Sequence, residues 1–152
     1  GTVVSNNGVA RVQASTNRAS TVLRQAIGAN QSKKHSWQWP LQGPILQGFQ
    51  SASNKGINIA ANQGDDVFAA GDGDVVYSGA GVQGSGNLII IRHSDRYLSA
   101  YAHNSAMLVA EGSKVRGGQK IAEVGQNSSG TALLHFEIRL DGKSVDPQSY
   151  LP

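Results

Sequence analysis

Two histidines stand inside apolar, strand-like segments: His103 in "YAHN" (Tyr101 to Asn104) and His135 in "LLHFEI" (Leu133 to Ile138). Imidazole is a metal ligand and a general base, so each could do chemistry if the fold brought partners to it. A zinc site built on His135 would want His or Asp at Asn54 and Asn58 of "NKGINIA" (Asn54 to Ala60). Asparagine stands in both places, and a carboxamide is a poor substitute for imidazole or carboxylate. The residues therefore describe either a damaged enzyme or a groove kept for another purpose. No cysteine is present, so a thiol nucleophile, a Cys-based zinc site and a disulfide are all excluded.

Composition narrows the context in which these residues work. At 152 residues the chain fits one ordinary domain with a tail. Its formal charge of +3 is unevenly spread, because Arg11, Arg18, Arg24, Lys33 and Lys34 precede Trp37 and the first acid is Asp65. Removing those five from the 13 basic residues leaves eight against ten acids in 37–152. That polarity between tail and domain is not the clustered, aromatic-interleaved basic face that nucleic acid would need. No run of 18 apolar residues occurs, so no transmembrane segment is expected in this chain.

The elements that must position the site begin at Trp37. Residues 1–36 are polar and read as a basic linker, with one helical face in "STVLRQAIG" (Val22, Leu23, Ala26, Ile27) that predicts a short helix at about residues 17–27. Residues 37–152 are short β-branched runs broken by Gly and Asp, with turn dipeptides at Asp72-Gly73 and Asp141-Gly142. The expected fold class is all-β: a compact, mostly antiparallel sheet domain. Gly79, Gly81 and Gly84 match G-x-G-x-x-G, yet "SGNLIIIRH" follows as a strand, so no helix dipole is there to hold a phosphate and a hairpin loop is expected. Trp37 and Trp39 are expected to anchor the chain's entry into the domain. Tyr77 and Tyr97 read as strand packing, His93 as a surface residue beside Asp95, and His35 as part of the tail without a role.

The order "NKGINIAANQGDDVFAAGDGDVVYSG", "GNLIIIRHSDRYLSAYAHNSAMLV" and "GSKVRGGQKIAEVGQNSSGTALLHFEIRLDGKSVDPQSYL" resembles the LytM (lysostaphin-type) peptidase domain over about residues 37–152. In active members, a His-x-x-x-Asp pair and the second His of His-x-His bind zinc, and two further histidines assist hydrolysis of peptidoglycan cross-bridges. Carried over, the pair falls on Asn54 and Asn58, the His-x-His on Leu133 and His135, and the remaining assisting histidine on His103. One zinc ligand of three survives, and one assisting histidine of two. A catalytic zinc needs three protein ligands and an open position for water. The resemblance thus implies a degenerate domain without catalytic residues, metal or other cofactor.

Within that family, "WPLQGPILQGF", "NKGI" and "LHFEIRLDGKSVDPQSYLP" are most similar to the NlpD-like lipoproteins. That similarity implies a periplasmic protein, tethered to the outer membrane through a lipidated N-terminus absent from this chain, that activates N-acetylmuramoyl-L-alanine amidases during cell division. Peptidoglycan itself is a second expected partner. The residues expected to line a partner-binding groove are Asn54, Asn58, Tyr101, His103, Leu133 and His135, with Lys55 as a rim charge; Tyr101 is included because it stands two residues before His103 on the same strand. Two rival readings stay open: a zinc endopeptidase with unorthodox ligands, and a structural module that binds peptidoglycan.

Overall fold

The computed structural model describes residues 36–152, and the chain divides between Ser36 and Trp37. The linker and the short helix expected at 17–27, and His35, lie outside the described residues. Ten strands follow: β1 (Ile45–Gln47), β2 (Ile57–Ala60), β3 (Asp66–Phe68), β4 (Gly73–Gly79), β5 (Asn87–Arg92), β6 (Tyr97–Met107), β7 (Lys114–Val115), β8 (Lys120–Val124), β9 (Leu133–Leu140) and β10 (Lys143–Val145). A single 3-10 turn, Pro147–Ser149, closes the sequence of elements. Every strand pairing is antiparallel, and the main path runs β1-β2-β9-β6-β5-β4-β7, with β10 on β9 and β8 on both β3 and β6.

Alternation decides which face each strand buries. In β9, Leu134, Phe136 and Ile138 are fully buried while His135, Glu137 and Arg139 between them are partly exposed. In β2, Ile57 and Ile59 are buried and Asn58 lies on the other face. Phe136 meets Tyr101 with ring centroids 5.3 Å apart, at the centre of a core that also takes Ile89, Ile91, Ile121 and Val124. Burial of side chains of this size contributes about 1.5–3 kcal/mol each, which holds the sheet curled around them.

The long strand β6 serves two neighbours. From Tyr97 to Ala102 it pairs with β9, and from Asn104 to Met107 it pairs with β8. The residue between is His103, at φ 71, where the register against β5 also slips. An extra residue at this point bends the strand from one partner to the next, as bulges do at sheet corners.

His93, expected as a surface residue, is partly exposed and also bonded through both ring nitrogens. Its Nδ1 lies 2.7 Å from the carbonyl oxygen of Asp72 and its Nε2 lies 2.7 Å from Ser99 Oγ, which is 2.7 Å from the Tyr101 hydroxyl. Tyr101 in turn accepts from Ala70 N at 2.9 Å. A carbonyl only accepts, so in the neutral ring Nδ1 carries the hydrogen, Ser99 donates to Nε2, and Tyr101 donates to Ser99. His93 is thus a fold-holding residue, tied to groups that its sequence neighbour Asp95 gave no sign of. Trp37 packs edge-on against His93, Tyr97 and Tyr150 at 5.0, 5.6 and 5.9 Å, and Trp39 Nε1 donates to the carbonyl of Pro152 at 2.7 Å. Both tryptophans therefore anchor the chain's entry, as the sequence predicts. The loop after Gly79 connects β4 to β5, so the Gly79, Gly81, Gly84 spacing belongs to a hairpin.

Candidate functional site

Two of the residues expected to line a groove are brought side by side by register. Across three strands, Asn58 of β2 stands opposite His135 of β9, and Ala102 of β6 stands opposite His135 on the other side. Continuing along β9, Glu137 and Arg139 follow His135 at intervals of two and so share its face. Ala100 and Ala102 stand opposite Glu137 and His135, Ala100 partly exposed and Ala102 covered.

Polar contacts join the row end to end, the two at His135 both being hydrogen bonds when the ring carries two protons, because Asn58 Oδ1 and Glu137 Oε2 are both acceptors. Asn58 Nδ2 donates to Gln47 Oε1 at 3.2 Å, and Asn58 Oδ1 lies 2.6 Å from His135 Nδ1. His135 Nε2 lies 2.8 Å from Glu137 Oε2, and Arg139 donates to Glu137 Oε1 from Nε at 2.9 Å and from the guanidinium terminus at 2.8 Å. Burial pushes the Glu137 carboxyl up, but the hydrogen bonds from His135 and Arg139 outweigh it and hold the group below the usual carboxylate range. Glu137, Arg139 and Gln47 were not among the expected site residues. The signal for the first two was present, since i+2 and i+4 from a strand histidine share its face.

His103 reaches the same region by a different route. Its ring centroid is 6.4 Å from that of His135, edge to face, and burial together with the neighbouring His135 holds its pKa below the ordinary histidine value. The left-handed backbone is clamped by Ser85, whose carbonyl accepts from His103 N at 2.9 Å, and by Gly125, whose N–H donates to His103 O at 2.8 Å. A Cβ on Gly125 would stand 2.6 Å from that carbonyl, so the clamp requires glycine there.

The same bulge corrects the expectation for Tyr101. Two residues before His103 on an unbroken strand would mean a shared face, but the extra residue at His103 reverses the alternation. Tyr101 has no exposed surface and lies in the core against Phe136, where burial, partly offset by its bonds to Ser99 and Ala70, pushes its hydroxyl up to about 12. Asn54 and Leu133 are also covered, at 6% and 4% exposure. Asn54 Nδ2 donates to the carbonyls of Gly48 at 2.9 Å and Gln47 at 3.4 Å, so its amide pins the β1–β2 connection. Leu133 holds the β9 position opposite Ala60. Of the seven expected groove residues, Lys55, Asn58, His103 and His135 present surface, and Lys55 Nζ donates to Ser51 O at 2.6 Å.

These side chains do not fit a zinc ion. Both ring nitrogens of His135 face oxygen atoms of the row, the Asn54 amide points at backbone carbonyls, and Leu133 offers no donor atom. Among the described residues no group of three or more His, Cys, Asp or Glu is placed to hold a metal. What the arrangement can do is present a polar row of fixed geometry to a binding partner.

The model of peptidase family M23 matches residues 52–147. The chain is 49% identical over 145 residues to outer membrane antigenic lipoprotein B of Haemophilus influenzae, covering 93% of this chain and 36% of that protein. It is 51% identical over 119 residues to murein hydrolase activator NlpD of Escherichia coli, covering 77% of this chain and 31% of that protein. The chain therefore spans about a third of the length of these curated relatives. Among solved structures, a zinc-containing peptidase from Vibrio cholerae superposes with a TM-score of 0.69 at 28% identity, over 74% of this chain and 39% of that one. Lysostaphin from Staphylococcus simulans superposes at 0.68 and 26% identity, over 77% and 53%. The family model covers residues 52–147, well over half of the chain, and the chain belongs to peptidase family M23.

Proposed function

We propose that this domain is a non-catalytic activator of an N-acetylmuramoyl-L-alanine amidase in the periplasm, acting in the splitting of septal peptidoglycan, and that its groove takes a segment of the amidase where an active family member would take substrate and metal. The observation that carries the reading is the row Gln47–Asn58–His135–Glu137–Arg139, in which two of the positions that correspond to the family's metal ligands, Asn58 and His135, face each other and side chains of the row in place of an ion. Similarity to a murein hydrolase activator and to outer membrane lipoproteins supports the same reading and its envelope setting. Activation needs no chemistry from the groove. A partner that alternates between closed and open states is shifted by whatever binds the open state better, and a few kcal/mol suffices.

The test is dye release from labelled sacculi by candidate amidases, with and without this chain. The chain alone releases nothing, and a cognate amidase is stimulated. Release by the chain alone, abolished by chelation, would replace this reading with that of a zinc endopeptidase.

A further inference from the structure

A cavity of about 350 Å³ opens at the end of the groove row, lined by Phe49, Ser51, Lys55, Arg139, Gly142, Lys143 and Ser144. Three of the eight basic residues in 37–152 line it, and none of the ten acids does. The surrounding domain is net negative, so this concentration of positive charge runs against its average. Among the described residues, Lys55 and Lys143 make no ion pair, while Arg139 is held by Glu137 and so is fixed in place.

The wall is preorganised. The β9–β10 turn has both Asp141 (φ 52) and Gly142 (φ 83) in the left-handed region, the geometry of a two-residue hairpin turn. Asp141 is the acid nearest in sequence to Lys143, but Arg96 grips its carboxylate with two hydrogen bonds of 3.2 and 2.9 Å. That grip engages the Asp141 carboxylate with Arg96, as Glu137 is engaged with Arg139, and leaves Lys55 and Lys143 without an acidic partner among the described residues. Lys55 is directed by its bond to Ser51 O, and Ser51, Ser144 and Phe49 also line the cavity. Cations and hydroxyls around an aromatic wall form a receptor for a carboxylate on an aliphatic stem.

We propose that this pocket receives an acidic side chain, Asp or Glu, of the protein segment that docks along the groove. The proposal rests on the activator reading above, and it names the chemistry of the partner at one end of the row. Arg139 belongs to both row and pocket, so a segment lying over His135 and Glu137 arrives there in continuity. Attraction of this kind also steers encounter and makes it sensitive to salt.

The experiment measures the concentration of this chain that gives half-maximal stimulation of a cognate amidase, for the native sequence, Lys55→Glu, Lys143→Glu and, as a charge-matched control away from the pocket, Arg116→Glu. The two pocket variants are expected to need at least tenfold more protein and to lose most of the native salt dependence, with Arg116→Glu unchanged. Equal loss in all three, or none in the pocket variants, overturns the proposal. Failure of the native chain to stimulate any amidase overturns the activator reading itself. In that event the pocket is tested by NMR titration with hexaglutamate, where shifts confined to Phe49, Gly142 and Lys143 uphold a carboxylate site and their absence overturns it. Sedimentation with purified sacculi forms the last arm. Loss of sedimentation in the pocket variants with stimulation intact would assign the pocket to the cell wall and overturn the protein partner.

Discussion

Two histidines in this domain have both ring nitrogens bonded, and their surroundings differ. His93 ends on the backbone at Asp72 and, through Ser99 and Tyr101, at Ala70 N. His135 is held by side chains alone, Asn58 on one side and Glu137 on the other. A histidine tied to backbone groups from distant parts of the chain specifies the fold. One tied only to neighbours on an open strand face can be exchanged without disturbing the sheet, and so is free to serve binding. The lesson is that hydrogen-bond count does not distinguish structural from functional histidines, whereas the identity of the partners does.

The largest expected effect sharpens the contrast between adjacent residues of β9. Phe136→Ala removes a fully buried ring and is expected to cost about 3–5 kcal/mol, lowering the melting temperature by roughly 10–20 °C. Its neighbour His135→Ala is expected to cost less than about 1 kcal/mol in the same melt and to reduce amidase stimulation at least tenfold. A large stability loss for His135→Ala would erase the distinction between the faces.

Next in size, Tyr101→Phe leaves Ala70 N–H without its acceptor in the core, at a cost of about 1–3 kcal/mol by denaturant melt, with stimulation per folded molecule unchanged. His103→Gly should do the reverse. Glycine relieves a left-handed residue, so stability holds or rises by up to about 1 kcal/mol while stimulation falls. If His103→Gly stimulates as well as the native chain, the bulge positions backbone only.

The smallest effects are in pH dependence, where the two regions govern opposite limbs. His103 has a lowered folded pKa, so below about pH 6.5 the unfolded chain binds more protons and acid reduces stability. Glu137, also lowered, contributes stability that is full above its ordinary value of 4.5 and is lost as pH falls through its folded pKa. Tyr101 is raised to about 12 from 10.0, so its contribution is full below pH 10 and is lost as pH climbs towards 12. Urea melts across pH should therefore show an acid limb reduced below about pH 4.5 by Glu137→Gln, the His103 part nearer pH 6.5 remaining, and an alkaline limb reduced by Tyr101→Phe. Exchange of these assignments would overturn the division of the two faces.

Much of this was legible in the sequence, for reasons that particular residues make plain. "LLHFEIR" alternates cleanly, which places Phe136 inward and His135 outward without further information. Asp141-Gly142 announced its turn. Tyr101 misled because the bulge at His103 is made by a histidine, not a glycine, and nothing local marks the change of partner from β9 to β8. His93 misled because its partners, Asp72 O and Ser99, are chosen by the curl of the sheet. Leu133 was expected to line the groove, yet it is covered by tertiary packing that no spacing encodes.

The bond from Trp39 to the carbonyl of Pro152 brings the two ends of the domain together. A unit whose entrance and exit lie side by side can be spliced into a host polypeptide at a single loop, with neither end stretched to reach. It also lends itself to circular permutation, with a short join across the old ends and new ones opened at an exposed turn such as Ser128–Gly130. Such rearranged chains would carry the groove intact into proteins of quite different layout.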